Sequence, residues 1–72
     1  MFIFTEHLKS LRNAKGVTQK QVSESIGIGE RSIQDYELGK RKPGFDALIA
    51  LADYFDCSLD YLVGRSEIRE RR

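Results

Sequence analysis

The sequence predicts an all-α fold, a compact bundle of five short helices, and three observations carry that prediction. Apolar residues recur at three- and four-residue spacing in successive segments between Phe4 and Leu62. Thr, Ser and Gly stand at the ends of those segments, where helices need caps and stops. Among 72 residues there is one Pro, while 40% are hydrophobic and 32% charged, a balance that favours helices around a small core over disorder.

The first helix is expected to run from a cap at Thr5 to about Lys15, with Phe4, Leu8 and Leu11 in its apolar spacing and Gly16 ending it. Thr18-Gln19-Lys20-Gln21 reads as a capping box: the Thr18 hydroxyl satisfies one free N–H and Gln21 reaches back to another. The second helix should therefore cover Gln19 to Ile26 and bury Val22 and Ile26, before Gly27 lets the chain turn through a left-handed backbone. A third should run from about Glu30 to Leu38 and stop at Gly39. Its Ile33 and Tyr36 fall on one side, and Arg31, Gln34, Asp35 and Leu38 on the other. Phe45, Leu48, Ile49, Ala52 and Phe55 give the fourth helix the strongest amphipathic pattern in the chain. Ser58 can cap a short fifth, where Leu59 and Leu62 close the core and Gly64 ends it.

A chain of this length is expected to form one domain, residues 1–64, near the lower size limit for a core without metals or disulfides. The remaining "RSEIRERR", residues 65–72, has no apolar face and reads as a charged tail or linker. A large enclosed active site does not fit such a size. Cys57 is the one cysteine and His7 the one histidine, so neither an internal disulfide nor a metal-ligand set is expected, and no cofactor is implied. No apolar run is long enough to span a bilayer, and "MFIF" is too short for the core of a signal peptide, so the expected setting is a reducing cytoplasm. Net charge is only +1, but it is unevenly spread. Between Lys9 and Lys42 bases outnumber acids, whereas Pro43 to Gly64 holds four acids and no base. A polyanion would meet the first half.

The stretch "GIGERSIQDYELGKRKP", residues 27–43, joins these observations. Two short helices linked by a three-residue turn containing Gly, the second with a bare polar face, make a helix-turn-helix. The major groove of duplex DNA accepts such a helix, and phosphates flank that groove. On that reading Gly27 sets the angle, Ile33 and Tyr36 anchor the third helix, Glu30, Arg31, Gln34 and Asp35 face base edges, and Lys40, Arg41 and Lys42 meet phosphate. Arg31 and Asp35, four apart, could instead simply pair on a solvated helix face.

The chain resembles the Cro/repressor-like (XRE-type) helix-turn-helix regulators of bacteria and their phages. The resemblance rests on Leu8, Leu11-Arg12, "GVTQKQVS" (16–23), Gly27, Ser32-Ile33, Tyr36-Glu37, "GKRKP" (39–43), Leu48, "LADYF" (51–55) and "SLDYLVGR" (58–65). It implies a five-helix bundle of the lambda-repressor-like type, sequence-specific binding to double-stranded DNA, and a homodimer on a palindromic operator. It also implies phosphate contacts from Gln19 and Ser32, and an inward salt bridge between Arg12 and Glu37. The chain departs from that pattern in having Ser23 for Ala, Gly29 for Ser or Thr, and Cys57 for Val, which is expected to pack as a small apolar group. His7 is expected to occupy a solvated helix position. The resulting expectation is a transcriptional repressor that acts by occupying its operator and catalyses no reaction. The alternative is an antitoxin or accessory module whose partner is another protein.

Overall fold

Phe4, Leu8 and Leu11 line one face of helix α1 (Ile3–Lys15) and are buried at 3% exposure or less. The computed structural model describes residues 3–64; the tail expected at residues 65–72 lies outside them. The Thr5 cap is corrected. Thr5 lies inside the helix, because Phe4 must itself be helical to join the Leu8 and Leu11 face, and Thr5 Oγ1 donates to the Tyr36 carbonyl at 3.4 Å. Gly16, at φ 73°, ends α1 as expected.

Helix α2 (Gln19–Ile26) opens with both halves of the capping box: the Gln21 N–H donates to Thr18 Oγ1 at 3.0 Å, and the Thr18 N–H donates to Gln21 Oε1 at 2.8 Å. It closes at Gly27, whose φ of 73° a side chain would strain even though a Cβ would have open space. Val22 is fully buried, and Ile26 packs half-buried against the core. Two residues further on, helix α3 (Glu30–Leu38) begins behind Gly29, which offers no side-chain cap, and ends at Gly39 at φ 78°. It sinks Ile33, Tyr36 and Glu37 into the bundle, where Tyr36 meets Phe4 edge-on at 6.3 Å between ring centroids.

Helix α4 (Phe45–Phe55) contributes Leu51, Ala52 and Phe55 to the core, with Ala47, Leu48 and Tyr54 partly buried against it. Two expected core residues are corrected. Phe45 is 71% exposed, because the buried line runs through Leu48, Leu51, Ala52 and Phe55 and leaves Phe45 on the shoulder of the first turn. Leu59 is 39% exposed: helix α5 (Leu59–Leu62) is a single turn, and its inward direction is taken by Leu62. Ser58 caps that turn, accepting from the Tyr61 N–H at 3.0 Å. Cys57 is buried as a small apolar group. His7 is also corrected. It is half-buried, its ring stacks on Tyr61 at 4.4 Å, and its Nδ1 donates to the Tyr61 carbonyl at 2.6 Å, fastening α5 to α1.

Candidate nucleic-acid interface

The geometry of the α2–α3 corner follows from what lies beneath it. Val22 and Ile33 are both fully buried, and α3 packs on α1 and α2, so its outer side is held at a fixed height above the core. A network of charged hydrogen bonds fixes the same corner from the other end. Arg12 Nε donates to Glu37 Oε2 at 2.6 Å and Arg12 Nη2 to Glu37 Oε1 at 3.1 Å, a two-pronged contact, while Arg12 Nη1 donates to the Val17 carbonyl at 3.0 Å. Gln19 Nε2 donates to Glu37 Oε1 at 3.1 Å. Thus Glu37, 3% exposed, accepts from α1 and from the first residue of α2 while belonging to α3. A carboxylate buried so deeply needs these donors, because an unpaired one would carry a large desolvation cost.

Above that frame, Glu30, Arg31, Gln34 and Leu38 are exposed on α3, and Ser32 is half-buried on its flank. Asp35 is less open than its place on the helix predicts. Its side chain is only 14% exposed, and Arg31 Nε lies 3.5 Å from its Oδ1. The turn after α3 folds back on the same residue: the N–H groups of Lys40 and Arg41 donate to the Asp35 carbonyl at 2.9 and 3.4 Å. That turn brings the exposed Lys40, Arg41 and Lys42 next to the polar side of α3, and Arg41 Nη1 donates to Ser32 Oγ at 3.3 Å.

The Gln19–Glu37 bond has no signal in the sequence, since the capping box explains Thr18 and Gln21 and leaves Gln19 with no local partner to suggest it. Its carboxamide nitrogen has a second N–H besides the one given to Glu37. Among the described residues no three His, Cys, Asp or Glu side chains are grouped to hold a metal, and no helix is long and apolar enough to cross a membrane.

Among the described residues, five helices with a packed α2–α3 corner, an exposed polar side on α3 and three cations beside it define a helix-turn-helix domain. A helix-turn-helix family model matches residues 8–62, and the chain belongs to that family, the Cro/repressor-like (XRE-type) regulators. It is 35% identical over 66 residues to the HTH-type transcriptional regulator ImmR of Bacillus subtilis, covering 92% of this chain and 52% of ImmR. It is 38% identical over 60 residues to the cryptic phage CTXphi transcriptional repressor RstR of Vibrio cholerae serotype O1, covering 83% of this chain and 54% of RstR. The chain spans about half the length of the curated relatives it matches. Its fold is lambda-repressor-like: the P22 c2 repressor, solved in complex with a synthetic operator, superposes with a TM-score of 0.82 at 24% identity over 88% of this chain and 96% of that one.

Proposed function

We propose that the chain is the DNA-binding domain of a transcriptional regulator and represses by occupying its operator. The observation that carries this reading is the pairing of an open polar helix face on α3 with the adjoining Lys40, Arg41 and Lys42. In the bound state α3 lies in the major groove, with Glu30, Arg31, Gln34 and Asp35 toward base edges. Lys40, Arg41, Lys42, Ser32 and the second N–H of Gln19 hold the flanking phosphates, while Arg12 and Glu37 keep the corner rigid. Two copies pair on a palindromic site through the surface from Asp56 to Val63, since one small domain reads too few base pairs alone. The work is done by occupancy in the cytoplasm, without cofactor or catalysis. RstR, named a repressor, supports the direction of control.

Selection of bound sites from a random duplex library tests the proposal. It should return a twofold-related sequence, and mobility shifts on it should weaken steeply as salt rises. Binding indifferent to salt, or no enriched site, would remove the DNA reading. The protein-interaction alternative would then gain from Leu38 and Phe45, which are 65% and 71% exposed.

A further inference from the structure

Arg31 and Asp35 form an unequal pair. The Arg31 side chain is 83% exposed, whereas the Asp35 side chain it meets is 14% exposed. Asp35 is also tied down through its backbone, where its carbonyl accepts from Lys40 and Arg41. One partner is a sheltered, anchored anion; the other is a long cation reaching out from it. Their contact is made at Nε, 3.5 Å from Oδ1, and among the described residues no other hydrogen bond or ion pair reaches the Arg31 side chain. The Nη1–Nη2 edge of the guanidinium therefore remains to be used.

A pair four residues apart with one partner open to solvent adds little to helix stability, so stability alone gives small reason for an anion beside a surface meant for phosphate. The pair makes better sense as a device for aiming. An unrestrained arginine gives up rotamer freedom on binding and can turn to a phosphate oxygen instead of a base. Holding it by Nε restricts both, and leaves two parallel donors spaced for the O6 and N7 acceptors of guanine. It also sets a cation against the Asp35 charge, so that this carboxylate does not meet the DNA backbone bare.

Resting on the DNA-reading assignment of α3, we propose that Asp35 is a positioning residue: it fixes Arg31 so that its Nη1–Nη2 edge reads one guanine in each half-site. Asp35 itself reads no base. This departs from a direct role in which its carboxylate accepts from a cytosine amino group.

Mobility-shift titrations on the selected operator, with each guanine replaced in turn by 7-deazaguanine, test it, because that base lacks the N7 acceptor. In the unaltered chain one guanine per half-site should show an affinity drop of about tenfold, and Arg31→Ala should erase it. Asp35→Ala should cut the drop to about twofold although Arg31 is still present, with Asp35→Asn, which keeps an oxygen acceptor without the charge, in between. Unfolding midpoints within about 3 °C of the parent separate this from a damaged fold, and Asp35→Asn alone carries the comparison should Asp35→Ala not fold. A 7-deazaguanine effect that persists in both Asp35 variants overturns the proposal, whether or not they bind the operator more tightly. So does an operator with no guanine whose effect depends on Arg31. A chain that binds no duplex in a salt-dependent way removes the DNA reading instead.

Discussion

Glu37 shows how one residue can serve three elements, and its substitution should be costly. Glu37→Gln keeps an oxygen for Gln19 but removes the charge that Arg12 Nε and Nη2 share. Arg12 is 19% exposed, so some of the stranded charge returns to water, and the expected destabilisation is about 2–3 kcal/mol rather than the larger cost of a fully buried break. For a domain of this size that is a fall of about 10–20 °C in the thermal midpoint, readable by circular dichroism. An unchanged midpoint would mean the pair is solvated. On the other side of α3, base reading and phosphate holding should separate. Arg31→Ala should cost about 1–3 kcal/mol on the operator and flatten preference at one base position per half-site. Lys40→Ala should weaken operator and random duplex alike and lower the salt slope by about one for each phosphate that the shortened side chain no longer neutralises. If Lys40→Ala collapsed the ratio of operator to random-DNA affinity while Arg31→Ala preserved it, the two roles would be reversed.

At the scale of the element, the caps decide how firmly α3 is presented. Gly29 stands at its N-cap without a side-chain bond, and a Cβ built there meets nothing within 4 Å. Gly29→Ser should therefore supply a missing acceptor and stabilise the domain by a few tenths of a kcal/mol, seen as a small rise in the unfolding midpoint. Gly27→Ala has the same open space but a φ of 73°, so it should lower stability by about 1–2 kcal/mol. Opposite outcomes at two neighbouring glycines would separate backbone strain from crowding. The same contrast marks what the sequence makes legible. Helix limits set by local chemistry are readable, as the Thr18–Gln21 box and the Gly16, Gly27 and Gly39 stops illustrate. What depends on a distant segment is not. Thr5 looks like a cap until Phe4 is drawn onto the helix, and His7 looks solvated until α5 lays Tyr61 against it. Likewise the exposure of Arg31 and Gln34 follows from the helical period, but the shelter of the Asp35 side chain, only 14% exposed, does not.

At the scale of the whole molecule, the proposed pairing of two copies on one site puts its contact at the short α5. Around that turn Leu59 and Asp60 are exposed, and Tyr61 and Val63 are half-buried, while Leu62 and the Tyr61–His7 stack fix the turn to the bundle. A surface of so few side chains falls well short of a standard stable interface, so association should be weak in solution and complete only where DNA holds both copies. Leu59 is the apolar side chain best placed at its centre, and at 39% exposure it contributes little to the core. Leu59→Glu should therefore leave the unfolding midpoint nearly unchanged. Two such charges placed against each other across a twofold axis should repel, so the steep, cooperative filling of a full operator should broaden toward independent binding. Affinity for an isolated half-site should stay the same. Half-sites themselves should lie about 10 base pairs apart, or a multiple of that, because both α3 helices must enter the groove from one side of the duplex. Sedimentation of the free chain and titrations on half and full operators measure each part. Cooperative binding by Leu59→Glu equal to the parent would move the contact away from α5.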